Sequence, residues 1–121
     1  MLFALIGVGI GYYMGATHNF VAAPVHAHVN LLGWVSMFLY GLFYRAHADA
    51  SVGLLPKLHF GSAVAGLLIF MPALAVEVVG PADLMALAGL GLVVGPTLVV
   101  IGMALFAIIV FRHTRGVAGP A

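Results

Sequence analysis

Apolar residues along this chain fall into four long runs separated by short polar, glycine- or proline-bearing stretches. The runs extend from Leu2 to Ala16, from about Val21 to Tyr44, from Leu58 to Val76 and from Leu84 to Phe111. A membrane-spanning helix needs about 20 predominantly apolar residues, and the second, third and fourth runs meet that length. They are unbroken rather than alternating, so the spans are helices and not barrel strands. The first run holds 15 residues before Thr17 and His18. It has neither the basic lead-in nor the cleavage site of a secretory signal, and reads as a short true span with room for a few residues missing upstream of Met1. The expectation is an all-α membrane protein: one domain over residues 1–121, a bundle of four transmembrane helices at about 2–17, 22–45, 57–77 and 83–112.

Composition agrees with that pattern. Hydrophobic residues make up 64% of the 121 and charged residues only 6%, whereas a soluble domain carries roughly a quarter charged residues. The formal net charge of +1 gives no reason to expect nucleic acid as a partner; the bilayer is the implied one. The absence of cysteine excludes disulfides, thiolate chemistry, c-type haem attachment and cysteine-held iron–sulfur clusters. Six histidines and six methionines remain as soft or borderline metal ligands.

The basic residues set an orientation. Arg45 and Lys57 flank the middle loop, and Arg112 and Arg115 follow the last run, whereas residues 17–23 and 77–83 contain no Lys or Arg. The positive-inside rule then predicts cytoplasmic termini in a multi-pass protein of the cell inner membrane. His26 and His28 fall near the outer face, and Tyr40, Phe43 and Tyr44 within an inner aromatic belt.

Gly7, Gly11 and Gly15 recur every four residues. A small-residue face of this kind permits close helix approach in lipid, and serves packing within the chain or a subunit interface equally well. Pro24 suits a helix start, Pro72 and Pro96 should bend the helices that hold them, and Gly80-Pro81 with Asp83 forms a turn and a helix-start signal.

The segment PVHAHVNLLGW, residues 24–34, raises the chemical question. Positions two apart on an α-helix point about 200° from each other, so His26 and His28 address different neighbours and neither chelate one ion together nor flank one iron. Asn30, Gly33, Met37 and Gly41 follow His26 along one face, and Leu32, Val35 and Leu39 follow His28 along the other. A single histidine near a helix end is most simply a hydrogen-bonded side chain. Two on opposite faces of an apolar helix each need a polar partner, which tilts the reading toward metal or haem. Zinc and copper sites usually need three or four converging ligands, and no such cluster lies on one face. Haem needs one or two axial ligands and a large apolar pocket.

These residues resemble the catalytic subunit of haem–copper oxidases and their nitric oxide reductase relatives. That family carries His-Asp, then His-x-His eight residues later at the start of its tenth helix, then Lys-x-His-Phe at the start of its eleventh. Here His18-Asn19 precedes His26-Ala27-His28 by the same step, and Lys57-Leu58-His59-Phe60 follows a loop of similar length. The match covers about residues 11–72, with Gly33, Trp34, Gly41 and Tyr44 fitting the family texture, and by helix count the chain resembles the last four of twelve helices. The resemblance implies that His26 and His28 ligate the irons of two different haems, with haem b as the expected cofactor. It implies further that His18 lies by the haem propionates. Asn19 stands where the family has aspartate, so metal binding there does not carry over. The family's copper histidines lie on helices absent from this chain, so oxidase and nitric oxide reductase activities do not carry over either. The family's three arcs of four helices imply that one four-helix unit would assemble as a twelve-helix homotrimer with a bis-histidine haem between neighbours; a dimer is the fallback.

The remaining polar residues are expected to play lesser parts. His59 reads as an interfacial or hydrogen-bonding residue, His47 and His113 as solvated, Glu77 as an interfacial carboxylate, and Met37, Met71 and Met103 as packing residues. Trp34 should line a helix contact or a pocket edge. The leading function is electron transfer by a membrane b-type cytochrome with an unknown donor and acceptor. The alternatives are a haem-trafficking or gas-sensing binding module, and a haem-free accessory or metal-handling protein of a respiratory complex. No acid–base pair or nucleophile constellation marks an independent enzyme.

Overall fold

The computed structural model describes the backbone over residues 1–117 and side chains over residues 1–113. The chain's last four residues and the Arg115 side chain therefore lie outside the described residues. The expected positions of the carboxy terminus and of Arg115 go with them.

Four helical rods carry the fold. The first, α1, is Leu2–Thr17. The second is continuous but mixed: α2 (Ala23–His28), a π-helix (Val29–Ser36) and α3 (Met37–Ala46). The third, α4, is Leu54–Val79, and the fourth, α5, is Met85–Val117, led by a single 3₁₀ turn at Ala82–Leu84. No strand occurs among the described residues. The sequence places the start of the third rod at residue 57; it begins at Leu54 instead. Pro56 is tolerated in its first turn, where backbone N–H groups have no partner inside the helix. Pro72 and Pro96 interrupt neither α4 nor α5 as helices.

Two helices, Leu54–Val79 and the stretch Ala82–His113, are long and apolar enough to cross a membrane. Only 22% and 17% of their most apolar windows are buried inside the chain, whereas the core helix of a soluble protein is mostly buried. The outward faces carry Leu58, Phe60, Leu68, Leu87, Leu90, Val93 and Val100, each more than half exposed.

Packing follows chain order: α1 on the second rod, the second rod on α4, and α4 on α5, with no comparable contact between α1 and α5 among the described residues. The rods therefore form an open row, and two antiparallel seams in it are built on glycine. Between α4 and α5, added Cβ atoms would lie 2.8 Å from the Val99 nitrogen at Gly66, 2.7 Å from the Phe70 backbone at Gly95, and 2.6 Å from Ala73 at Gly91. Between α1 and the second rod, a Cβ at Gly7 would meet the Asn30 side chain at 2.3 Å, one at Gly11 would meet His26 at 2.7 Å, and one at Gly33 would meet Phe3 at 2.8 Å. Without an aqueous driving force between helices, such close backbone approach is what dispersion and polar contacts need. Gly15 faces open space. Gly7 and Gly11 thus serve packing within the chain, and the four-residue repeat ends there. Val25, Val29, Leu67 and Met71 join the second rod to α4, with Met37 packed against them.

Candidate functional site

The site is built at the head of the second rod. Pro24 lies in its first turn, where the missing N–H costs nothing, and the two histidines follow within that turn and the next. His26 turns toward α1. Its Nδ1 lies 2.8 Å from the Gly7 carbonyl oxygen, and its ring edge rests on Gly11, where any larger residue would collide with it. His28 turns toward α4. Its Nδ1 lies 2.7 Å from the Pro24 carbonyl oxygen one turn back, and its ring meets Phe70 edge-on at 5.2 Å. The two imidazoles therefore face different helices, as their spacing requires.

A carbonyl oxygen only accepts, so in each ring Nδ1 carries the hydrogen and donates it. In a neutral ring that fixes the tautomer and leaves Nε2 as the acceptor. Both imidazoles are half-buried, and their bonds to backbone hold them in place.

Asn30 supports this arrangement. Its Nδ2 donates to the His26 carbonyl at 2.9 Å, and the same nitrogen approaches His26 Nδ1 at 3.3 Å. Because the Nδ1 hydrogen is already committed to Gly7, the second approach sets a donor against a donor and is packing, not a bond. The side chain locks the turn that carries His26 against Gly7.

The π-helix rearranges the face expected below His26. Its turns hold about one residue more than α-helical turns, and Ser36 Oγ donates to Leu31 O at 2.9 Å across the five-residue step of that geometry. Asn30 and Gly33 still face α1, but the slower rotation carries Met37 round to Leu67 and Met71. Met37 is thereby a core residue on the α4 side and does not share the His26 face. Trp34 is more than a third exposed.

His18 stands apart from these residues. It closes α1 in the left-handed conformation, at φ 52°, and its side chain is exposed. Asn19 Oδ1 accepts from the Val21 N–H at 3.1 Å, making a local turn that steers the chain into the second rod.

The opposite end of the rods holds a feature that the sequence conceals. His59 is 1% exposed. Its Nδ1 is paired with the Tyr44 hydroxyl at 2.9 Å, its Nε2 is buried with no hydrogen-bond partner among the described residues, and the rings of Tyr40 and Phe106 lie 4.6 and 5.1 Å away. It is a hydrogen-bonding residue, but an interior one rather than an interfacial one. Tyr40, Phe43 and Tyr44 pack inward on it and on Phe106 instead of forming an outward belt. His47 and His113, expected in solvent, have ring centroids 4.4 Å apart with the planes tilted by 55°, and His113 Nδ1 lies 3.3 Å from Asp49 Oδ2. The pairing joins the middle loop to α5, residues too far apart in sequence for any local pattern to link them. No group of three or more metal-ligating side chains converges among the described residues.

Comparison with protein-family models, curated proteins and solved structures returns no match.

Proposed function

We propose that this chain is a four-span integral membrane protein of the cell inner membrane that binds haem b and transfers electrons. In this reading it is a stand-alone relative of the last four helices of the haem–copper oxidase catalytic subunit. The observation that carries it is the pair of anchored imidazoles. Iron-ligating histidines almost always donate their second ring N–H to a carbonyl, carboxylate or water, which orients the ring and raises its basicity. His26 and His28 both do so, through Gly7 and Pro24, and both keep Nε2 for a metal. The anchoring of both rings through Nδ1 is what supports assigning the group to these residues.

In a homotrimer the open row of four rods would supply one arc of a twelve-helix ring. Each interface would offer His26 from one copy and His28 from the next to a single iron, and a dimer with a pocket between like helices is the lesser form. Asn30 and Gly33 would shape the His26 side, and His18 would lie by the propionates; Met37 acts only as packing behind the site. When bound, the haem supplies a one-electron couple. The chain's part would be to hold the group with His26 and His28, and with both histidines engaged the iron would be denied to exogenous ligands. Cytoplasmic termini would put these groups near the outer face.

The test is purification in mild detergent, with optical spectra, haem stoichiometry and oligomer mass for wild type, His26→Ala and His28→Ala. A low-spin b-type spectrum that each substitution abolishes is expected, with carbon monoxide leaving the reduced spectrum unchanged. Haem retained in both variants overturns the assignment. Ready carbon monoxide binding favours the sensing or trafficking module, and a protein that stays colourless with haem supplied favours the accessory role.

A further inference from the structure

The Tyr44 hydroxyl and His59 Nδ1 lie 2.9 Å apart, although the two residues are 15 positions from each other in sequence. Tyr44 comes from near the end of α3 and His59 from the second turn of α4. Only the packing of the two rods makes the pair, so no local motif announces it. The distance is that of a nucleophile within hydrogen-bond reach of a general base.

The surroundings of the imidazole point the same way. His59 is 1% exposed, and its Nε2 has no hydrogen-bond partner among the described residues. Native structures leave few buried polar atoms unpaired, and those they leave mark a catalytic or redox role, or a bound water or ion. A phenylalanine would fill the same space without the unpaired atom, so packing does not account for the imidazole. The rings of Tyr40, Phe106 and Tyr44 stand 4.6, 5.1 and 5.7 Å from it. All three lie within the roughly 6 Å over which an aromatic ring attracts a cation. An imidazolium formed there is supported by its neighbours even though solvent does not reach it.

The phenol, unlike the base, borders open space. Tyr44 is half-buried and forms part of the wall of a cleft of about 390 Å³, together with Ser51, Pro56, Lys57, Phe60 and Gly61. That volume lies within the roughly 300–1,000 Å³ of small-molecule sites. A nucleophile at a cleft wall, backed by a buried base that takes its proton during attack, is an arrangement for covalent catalysis.

From this geometry we infer that Tyr44 is a nucleophile that accepts an acyl group from a small ester bound in the cleft, with His59 as its general base. The Tyr44 oxygen bonds to the acyl carbon, and the bond from that carbon to the ester's alcohol oxygen breaks. The phenol proton moves to His59 Nδ1 as the first bond forms and passes from there to the departing oxygen. The products are O-acyl-Tyr44 and an alcohol. The step needs no oxidant, and it stands whether or not the chain binds haem.

The test uses the full chain in mild detergent, p-nitrophenyl acetate as the acyl donor, and peptide mass to place and count the acetyl groups. Tyr12 and Tyr13, 80% and 64% exposed, are internal references. Exposure alone would make Tyr44 the slowest of the three. General-base assistance contributes about 10²- to 10⁴-fold, so Tyr44 should acetylate at least tenfold faster than either reference. His59→Phe should remove that excess. The titratable groups facing His59 are the Tyr40 and Tyr44 phenols of the second rod, while α5 presents the apolar Phe106. The Tyr44 rate should therefore rise with pH only until His59 is neutral and then level off. Tyr12 and Tyr13 should keep rising toward the ionisation of a free phenol at about pH 10. Tyr44 labelled no faster than the references, a rate unchanged in His59→Phe, or a profile that climbs with the exposed phenols overturns the inference. Acetyl on Lys57 without acetyl on Tyr44 overturns it too, and leaves the buried Nε2 to a bound water. The rate ratio and the pH profile come from wild type alone, so they decide the matter even where His59→Phe does not fold.

Discussion

His26 and Gly7, on antiparallel rods, are joined by a 2.8 Å hydrogen bond from the imidazole Nδ1 to the backbone carbonyl. The bond exists because Gly11, one turn further along α1, has no side chain to hold the ring away. Gly11→Ala should therefore act on His26 without touching it chemically. A Cβ at 2.7 Å from Cε1 pushes the ring aside and breaks its bond to Gly7. Loss of such a supporting bond typically weakens metal binding by about 10- to 100-fold, and on the proposed haem reading the affinity measured by haem titration should fall by that factor. Gly15→Ala, in open space, is the control and should leave affinity unchanged. Equal behaviour of the two variants would falsify the link between the groove and the ring.

Tyr44 and His59 offer a test at the other end. Tyr44→Phe leaves His59, already without a partner at Nε2, with neither nitrogen bonded. Removing one partner of a buried hydrogen bond costs about 1–3 kcal/mol. Replacing both with apolar rings removes the unsatisfied atoms as well, so the double variant Tyr44→Phe/His59→Phe should be more stable than the sum of the single changes predicts. Mixed-micelle unfolding followed by circular dichroism measures all four proteins. Strict additivity would show that the pair is not coupled.

The contact between His113 and Asp49 should matter far less. Asp49 is 75% exposed in its side chain, and ion pairs of that kind contribute between about 0 and 1 kcal/mol. Asp49→Asn is expected to shift unfolding within that range and to leave the spectrum of any haem held at the candidate site as it was. A larger loss would mean that the contact between the His47 and His113 rings depends on the carboxylate for more than one bond.

The contrast among these residues explains what the sequence discloses. The four rods are legible because long unbroken apolar runs, two of them long enough to cross a bilayer, favour helix over any alternative, and their ends fall close to the expected ones. The divergence of His26 and His28 is legible because it depends only on helical rotation, and no π turn separates them. Met37 is misplaced by the same rule, since the wide turns between Val29 and Ser36 leave no mark in composition that rotation counting would detect. The groove of Gly7 and Gly11 is visible as a repeat, but its partners are not. His47 and His113 look like solvated flanks because their partnership is made across the fold. The seam of Gly91 and Gly95 passes unnoticed for the opposite reason. It lies inside a uniformly apolar run, where nothing distinguishes the face turned to α4 from the face turned outward.

That seam supports the last prediction. At Gly95 an added Cβ would lie 2.7 Å from the nitrogen, Cα and Cβ of Phe70, and two of those atoms are backbone, so only separation of α4 and α5 relieves the clash. Overpacking of this kind costs about 1–3 kcal/mol. Phe70 also meets the His28 ring at 5.2 Å, so displacement of α4 should reach the candidate site. Gly95→Ala is expected both to destabilise the protein by that amount and to alter the spectrum of any haem that depends on His28. Gly89→Ala on the same helix meets nothing within 4 Å and should gain roughly 0.5–1 kcal/mol from the lower backbone entropy of alanine in a helix, with no spectral change. Paired unfolding and optical measurements on the two variants separate the outcomes. Destabilisation by Gly95→Ala with an untouched spectrum would show that Phe70 does not set the position of His28, and the helix end at Pro24 would then be the sole support of that imidazole.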